Sequence, residues 1–279
     1  MRQKSNMKKY CRYIGKVQIS IFIEESLYKK YHTIFKSLFR TYISANEESH
    51  GYYEEYIYYI LSSNYDQLDK NHRLTVCDTQ NDSWIFTLIS DLDEFYAEVL
   101  RCTVLHGSCL QINGKNILLI GERWSGKTTL TRYLTINKNG FFLNDDSIYL
   151  IDNTIIGFGM PLPIRNAKIN DYEDYFVAQT TDSDDVVRFL YSPPNIINDC
   201  NTIDAIIFPK YILSGRTYIK KTTKGDTFNT LIKKVRFYGT MGAMFDDIKK
   251  LSQLSDCYSI EYSSCSIVYD LLIRGFKSV

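Results

Sequence analysis

The sequence predicts an α/β domain preceded by a small α+β region. This prediction rests on a succession of strand, turn, helix and strand between residues 117 and 143, and on a change of pattern near residue 90. Strands that alternate with helices are typical of α/β domains. The chain has 279 residues, 44% of them hydrophobic, which is enough to bury a substantial core. We therefore divide it into residues 1–90, whose role the sequence does not indicate, and a domain of residues 91–279.

The first region contains patterns of both strand and helix. Residues 17–23 alternate apolar and polar side chains as a half-buried strand does. Residues 47–69 are polar and rich in tyrosine, and we expect a helix flanked by loops there. Residues 84–89 are expected to form a strand. Residues 90–102 are expected to form a helix, because their apolar side chains recur at helical spacing.

The second region begins with a predicted β-hairpin. Its two apolar runs, residues 108–112 and 117–120, are joined by Asn113 and Gly114, a pair that favours a tight two-residue turn. After a glycine-rich turn, we predict a helix over residues 127–134 and a strand over 141–143, which is followed by the polar residues 144–146 at its end. Further strands are predicted over 147–151, 155–158 and 205–209, and further helices over 227–238 and 244–254.

Composition and charge argue against several functional classes. The chain has 33 Lys+Arg against 32 Asp+Glu, so its net charge of +1 gives no general reason to expect nucleic acid or an anionic membrane as a partner. The apolar runs are too short to cross a bilayer, and the N-terminal residues lack a signal-peptide core. Seven cysteines without a Cys-x-x-Cys pair argue against a disulfide framework and a structural zinc site. We expect a cytoplasmic protein that binds neither nucleic acid nor membrane.

The glycine-rich turn contains the most specific motif of the chain. Residues 121–128 read Gly-Glu-Arg-Trp-Ser-Gly-Lys-Thr and fit the phosphate-binding pattern Gly-x-x-x-x-Gly-Lys-[Ser/Thr] at every fixed position. In this motif the backbone N–H groups surround phosphate oxygens, the lysine reaches the phosphates, and the hydroxyl binds Mg²⁺. The turn follows a predicted strand and opens a predicted helix, as the motif requires. We predict nucleotide binding by Gly121, Glu122, Arg123, Trp124, Ser125, Gly126, Lys127, Thr128 and Thr129.

Two consecutive carboxylates, Asp145 and Asp146, follow the next predicted strand. Adjacent residues at a strand end point to opposite sides, so one can hold Mg²⁺ while the other faces an acceptor. That division suits a phosphotransferase, although a solvated turn is the alternative interpretation. His106 precedes the hairpin and can tune a carboxylate or contact a phosphate oxygen, although a lone histidine is more often a surface or core residue.

These motifs, in this order, resemble the catalytic core of HPr kinase/phosphorylase-like proteins. The resemblance covers about residues 104–170 and rests on Leu105-His106-Gly107-Ser108, on the strand and loop of residues 117–128, and on residues 140–146, which end in Asn-Asp-Asp. It implies an α/β P-loop kinase core similar to that of phosphoenolpyruvate carboxykinase. The chain resembles the shorter stand-alone relatives, which include the lasso-peptide tailoring kinases that phosphorylate a serine of a precursor peptide.

The resemblance also implies a role for each matching residue. Lys127 would contact the phosphates, and Thr128 and Asp146 would hold Mg²⁺. Asp145 would be the base that activates the acceptor hydroxyl, assisted by His106. Arg165 lies in a Pro-rich segment similar to one in the relatives and would approach the phosphate or the transition-state charge, although a structural role suits it equally.

The implied activity is the Mg²⁺-dependent transfer of the γ-phosphate of ATP to a serine or threonine hydroxyl of a peptide or protein. GTP is an alternative phosphate donor, and assembly into a homo-oligomer is compatible with the resemblance. A small-molecule kinase and a nucleotide-gated regulatory module without transfer chemistry are the competing hypotheses. The longer glycine-rich signature segment of the bifunctional HPr enzymes is missing after the Asp pair, which puts a phosphorylase activity in doubt.

Overall fold

A computed structural model describes residues 7–44, 54–62, 72–77, 83–165, 173–182 and 184–274. The chain divides into two units. Unit 1 comprises Met1–Leu100 and Pro163–Ser192, and unit 2 comprises Arg101–Leu162 and Pro193–Val279. This division differs from the boundary predicted near residue 90, because one helix runs from Trp84 to Leu100 across that position and because a later segment packs with the first unit.

The strands, in chain order, are β1 Met7–Ile14, β2 Val17–Glu24, β3 Ile43–Ser44, β4 Glu54–Leu61, β5 His72–Val76, β6 Thr103–Ile112, β7 Lys115–Ile120, β8 Phe141–Ile151, β9 Thr154–Ile156, β10 Leu162–Arg165, β11 Phe176–Thr181, β12 Val187–Tyr191, β13 Asp199–Cys200, β14 Ala205–Tyr211, β15 Tyr218–Lys221, β16 Val235–Phe237 and β17 Asp256–Tyr262. The α-helices are α1 Glu25–Lys30, α2 His32–Leu38, α3 Trp84–Leu100, α4 Lys127–Arg132, α5 Lys224–Ile232, α6 Met241–Leu254 and α7 Cys265–Arg274. A π-helical turn, Tyr133–Asn137, continues α4, and a 3₁₀ turn, Glu173–Tyr175, precedes β11. None of the helices in the described part of the chain is both long and apolar enough to cross a bilayer.

Unit 1 contains a mixed five-stranded sheet in the order β3-β1-β2-β4-β5 and a three-stranded sheet in the order β10-β12-β11. The strand predicted over residues 17–23 is confirmed as β2. The helix predicted within residues 47–69 is wrong for the described part, because Glu54–Leu61 is strand β4, whose tyrosines and isoleucines favour extended structure. The rest of residues 47–69, apart from Ser62, lies outside the described residues.

The strand predicted over residues 84–89 is also wrong. These residues are the first turns of α3, where Trp84, Ile85, Leu88 and Leu92 are buried. Their spacing of one, three and four residues is that of one face of a helix, and it continues the pattern predicted from residue 90 onward. The short apolar run is therefore the start of one longer helix.

Unit 2 is a mixed α/β domain with a central sheet in the order β13-β9-β8-β6-β7-β14-β17-β15, with β16 paired to β6. Strand β14 is parallel to both β7 and β17, whereas β6 is antiparallel to β7 and β8. The predicted hairpin is confirmed: β6 and β7 are joined by Asn113 and Gly114, which have φ values of +50° and +74°. Positive φ at both central residues is the geometry that the Asn-Gly pair favours.

Both faces of this sheet are covered. Along β7, Leu118 and Ile120 belong to one buried cluster, whereas Ile117 and Leu119 belong to the other. Helices α5 and α6 contribute to the first cluster, and α4 and α7 contribute to the second. This arrangement explains why the central strands are apolar without alternation.

Two predicted elements of unit 2 differ in extent. Strand β8 runs through Asp145 and Asp146 to Ile151, so the Asp pair lies inside a strand and not at its end. The helix predicted over residues 227–238 ends at Ile232, and Val235–Phe237 then pairs with β6 as strand β16. The helix predicted over 244–254 is confirmed within α6.

Candidate functional site

The register of unit 2 brings the predicted phosphate-binding loop and the Asp pair to the same level of the sheet. On β6, Gly107 pairs with Ile120 at the end of β7 and with Asp146 on β8. One step along, Ser108 pairs with Leu119 and with Asp145. The loop begins directly after Ile120, so three consecutive strands place it beside both carboxylates.

Gly107 permits this close pairing. A β-carbon on Gly107 would lie 2.5 Å from Ile120 Cδ1 and 2.6 Å from the Leu119 carbonyl oxygen. Real contacts of this kind are not that short, so a larger residue would push β6 away from the end of β7. The glycine of the His-Gly pair therefore has a packing role next to the loop.

We expect Gly107→Ala to lower the free energy of unfolding by about 1–3 kcal/mol, because the added methyl group meets backbone and core atoms. The matched control is Gly242→Ala in α6, where an added β-carbon meets nothing within 4 Å. That control should leave stability unchanged or raise it slightly. Urea unfolding of both variants checks the prediction, and equal stabilities would contradict it.

The loop itself is held from two sides. Gly126 has φ +92°, and its carbonyl oxygen accepts a hydrogen bond of 3.0 Å from the Tyr262 hydroxyl. The Tyr211 N–H donates to the Ser125 carbonyl oxygen at 3.0 Å. A β-carbon at Gly126 would collide with the Tyr262 hydroxyl, so both the backbone conformation and the space require glycine. Helix α4 begins at the next residue.

Lys127 is the first residue of α4, and its side chain turns back toward the loop. The residue is only 6% exposed, and its Nζ donates to the carbonyl oxygens of Gly121 at 2.9 Å and of Glu122 at 3.0 Å. Burial lowers the pKa of Lys127, while the nearby charges of Asp145 and Asp146 oppose that shift. A buried ammonium group is thus fixed at the centre of the loop.

Asp145 joins β6, β8 and α4. Its Oδ2 accepts a hydrogen bond of 2.8 Å from the Thr128 hydroxyl, and its Oδ1 accepts one from the Ser108 hydroxyl. Burial, followed by the charge of Asp146, raises the pKa of Asp145 to about 6. The sequence did not predict Ser108 as a site residue; its position two residues after His106 on the same strand was the available signal.

The raised pKa of Asp145 makes stability depend on pH. The folded-state pKa of about 6 lies above the ordinary value of 3.8, so the stabilising contribution is present below about pH 4 and is lost as pH rises through about 6. The side-chain amide of asparagine does not ionise, so a variant with asparagine at this position does not lose stability in this way as the pH rises. We expect Asp145→Asn to be more stable than the wild type at pH 8, on the order of 1 kcal/mol or more, and nearly equal at pH 4. Urea unfolding at both pH values checks this, and a difference independent of pH would contradict it.

Asp146 and His106 form a second pair. Asp146 has φ +71° and an exposed carboxylate, and its backbone carbonyl oxygen lies 3.1 Å from His106 Nδ1. The Asp146 Oδ1 lies 3.7 Å from the same nitrogen. Burial and then the Lys127 charge lower the pKa of His106, which favours the neutral imidazole.

These contacts pair the predicted residues differently from the expectation. The resemblance implied that Thr128 and Asp146 would share a metal ion and that His106 would assist Asp145. In the structure Thr128 contacts Asp145, and His106 contacts Asp146. The cause is a bulge in the β6–β8 register just before the two aspartates, together with the left-handed backbone of Asp146. The prediction that the aspartates lie at a strand end included neither feature.

Strand β16 and the residue before it, Lys234, add two cations that the sequence did not predict. Lys234 is 17% exposed and forms an ion pair with Glu122 of the loop, while its carbonyl oxygen accepts from the His106 N–H at 3.0 Å. Arg236 Nη2 donates to the Ser147 hydroxyl at 2.6 Å. Both were hidden because the sequence pattern favours one helix over residues 227–238.

The other predicted loop residues differ in exposure. Arg123, Trp124 and Thr129 are exposed, whereas the Ser125 hydroxyl oxygen is buried and has no hydrogen-bond partner within the described part of the chain. A buried hydroxyl without a partner is unusual in a folded protein.

Arg165 belongs to unit 1, unlike the other predicted residues. It ends β10, and its Nη2 lies 3.8 Å from Asp182 Oδ2. The same carboxylate accepts hydrogen bonds from Arg188. This ion pair gives Arg165 a partner within its own unit and favours the structural interpretation of this residue.

The donor atoms suit a magnesium ion. No group of three or more His, Cys, Asp or Glu residues that could hold a metal occurs among the described residues. Magnesium usually needs only one or two protein ligands, because substrate phosphates and water complete its octahedron. The Thr128 hydroxyl and the Asp145 carboxylate are hard oxygen donors from two different elements and lie within 2.8 Å of each other.

Comparisons with known proteins add little to this geometry. No protein-family model and no curated protein sequence matches the chain. The solved structures that are similar to it include the Hpr(Ser) kinase/phosphatase from Coxiella burnetii, with 12% sequence identity and a TM-score of 0.30 over 62% of this chain and 94% of that chain. A TM-score this low does not assign a family, so any function has to be argued from the contacts of the site itself.

Proposed function

We propose that this protein is a magnesium-dependent phosphotransferase that moves the γ-phosphate of ATP, or of GTP, to a serine or threonine hydroxyl of a peptide or protein. The observation that carries the proposal is the hydrogen bond between Thr128 and Asp145. It joins the residue after the loop lysine to a carboxylate on a separate strand. A nucleotide site of this motif needs these two ligands together.

Lys127 would bind the phosphates. Its ammonium group already lies inside the loop, where it donates to two carbonyl oxygens. Phosphate oxygens are better acceptors than neutral carbonyl oxygens for a cation, because the hydrogen bond is then assisted by charge on both sides. We expect Nζ to exchange these carbonyl partners for phosphate oxygens.

Thr128 and Asp145 would hold the metal. The Mg²⁺ ion supplies charge neutralisation on the phosphate oxygens when it is bound. Asp145 contributes a carboxylate that burial holds at a raised pKa, and a neighbouring cation favours the ionised form of such a group. Ser108 keeps the carboxylate oriented through the second oxygen.

Asp146 would act on the acceptor. Its carboxylate is exposed, so it can reach a hydroxyl group, and His106 lies beside it. In the transfer, the acceptor oxygen forms a bond to the γ-phosphorus and the bond from that phosphorus to the bridging oxygen breaks. The hydroxyl proton passes to Asp146, and the nucleoside diphosphate leaves with the bridging oxygen.

Three cationic residues lie near His106 or the loop in unit 2. Lys127 is the first residue after the loop glycines, Lys234 directly precedes β16 and accepts a backbone hydrogen bond from His106, and Arg236 lies in β16. Positive groups aimed at the transferring phosphoryl group are the main source of catalysis in this chemistry. We therefore propose for Lys234 and Arg236 the kind of role that the resemblance implied for Arg165.

The test is transfer of label from γ-³²P-ATP with Mg²⁺, using arrays of serine and threonine peptides and, separately, small hydroxyl compounds. We expect labelled peptides with the wild type and with Asp246→Asn, an exposed aspartate of α6 that serves as the control. With Asp146→Asn we expect the rate of labelling to fall about 10²–10⁴-fold. Transfer to small compounds alone would contradict the acceptor class, and absence of transfer to any hydroxyl would contradict the proposed function.

A further inference from the structure

One loop residue is unusual in both backbone and exposure. Trp124 has φ +70°, a left-handed conformation that disfavours residues with a β-carbon, and it is 72% exposed. A large indole at such a position gains little from burial and adds backbone strain. Strained residues of this kind cluster at ligand sites, where the surrounding structure fixes them.

Two further exposed apolar side chains lie on the segment that is hydrogen-bonded to this loop. Tyr211, at the end of β14, is 44% exposed and donates its N–H to Ser125, the neighbour of Trp124. Leu213 is 91% exposed. The loop therefore has an apolar flank that begins at Trp124 and continues onto the segment after β14.

The apolar flank and the Asp pair lie on opposite sides of β7. Strand β14 pairs with one edge of β7, whereas β6 and then β8, with Asp145 and Asp146, lie beyond the other edge. A triphosphate held by the loop would direct its γ end to the carboxylates and the metal. The nucleoside at the other end of the bound nucleotide would then extend toward the β14 side of the loop.

We infer that Trp124 binds the base of the nucleotide by stacking its indole ring against it. This inference rests on the proposed function. Stacking on an aromatic ring tolerates different bases, because every base has a π-face. Such a contact holds the base without distinguishing adenine from guanine, so ATP and GTP should bind with similar affinity.

The chain offers a direct probe, because it has only two tryptophans and the other, Trp84, is 6% exposed in α3 of unit 1. In Trp84→Phe, Trp124 is the single indole fluorophore. With Mg²⁺ present, we expect ATP and GTP to change its emission to the same extent, whereas inorganic tripolyphosphate, which has no base, should leave it nearly unchanged. The inference would be overturned if tripolyphosphate changed the Trp124 emission as much as ATP does. It would also be overturned if ATP bound to the protein without changing that emission.

A binding measurement makes the test independent of fluorescence and of the Trp84 substitution. By equilibrium dialysis with labelled ATP, we expect Trp124→Ala to weaken binding about 5- to 100-fold and Trp124→Phe to restore most of it, while tripolyphosphate binding stays the same. Urea unfolding should show Trp124→Ala folded. Unchanged ATP affinity in Trp124→Ala, with Lys127→Ala impaired, would overturn this inference alone. Failure of the wild type to bind ATP would overturn the proposed function and this inference with it.

Discussion

Replacing Lys127 by alanine is expected to lower the affinity for ATP about 10- to 100-fold and to abolish measurable phosphoryl transfer. A hydrogen bond to a charged group is worth about 1.5–3 kcal/mol, and the ammonium group of Lys127 is buried among loop carbonyl oxygens where water cannot replace it. The effect on transfer should exceed the effect on binding, because charge on the moving phosphoryl group is stabilised only in the transition state.

The measurement is equilibrium dialysis with labelled ATP and Mg²⁺, followed by the peptide transfer assay. The matched control is Lys115→Ala, an exposed lysine at the opposite end of β7 from the loop. It should bind and transfer as the wild type does. Wild-type affinity and turnover in Lys127→Ala would contradict the assignment of residues 121–128 as a phosphate-binding loop.

The second large effect separates the two carboxylates. Asp145→Asn is expected to raise the Mg²⁺ concentration needed for half-maximal transfer by at least about tenfold, because magnesium keeps few protein ligands and Asp145 is the carboxylate bonded to Thr128. Asp146→Asn should keep ATP affinity and Mg²⁺ dependence near those of the wild type. Its transfer rate should fall about 10²–10⁴-fold, because the amide cannot take the hydroxyl proton.

Titration of transfer against Mg²⁺, with ATP affinity measured in parallel, distinguishes these outcomes. His106→Ala should show a smaller loss of rate with unchanged metal dependence, since its contact is with Asp146. The opposite pattern, in which Asp146→Asn changes the metal requirement and Asp145→Asn does not, would favour the assignment that the resemblance implies.

The elements that the sequence predicted well have strong local signals. The Asn113–Gly114 turn, the loop glycines and α4 depend on backbone preferences of a few neighbouring residues, and the structure contains the hairpin and helix that these residues favour. His106, Lys127, Asp145 and Asp146 meet because the hairpin and β8 follow one another in one sheet. The motifs and the resemblance grouped these residues into one site, whereas the register that aligns them was not predicted.

The parts that could not be predicted depend on long-range pairing. The partner of Thr128 is decided by a bulge between β6 and β8, and the presence of Lys234 near the loop depends on β16 pairing with a strand about 130 residues earlier. Residues 84–89 were ambiguous because a short apolar run fits a strand and a helix equally. Arg165 was assigned to the site because its Pro-rich segment resembles one in the relatives, and in the structure this residue belongs to unit 1.

The most direct test of the account is a double-mutant cycle on Thr128 and Asp145, read as ATP affinity with Mg²⁺ and with EDTA. If these residues hold one metal ion, the wild type should bind ATP more tightly with Mg²⁺. Thr128→Val and Asp145→Asn should each remove most of that difference, and the double variant should lose no more than either single variant. Fully additive losses, or wild-type affinity that is the same with Mg²⁺ and with EDTA, would contradict the proposal of a single magnesium–nucleotide site at this loop.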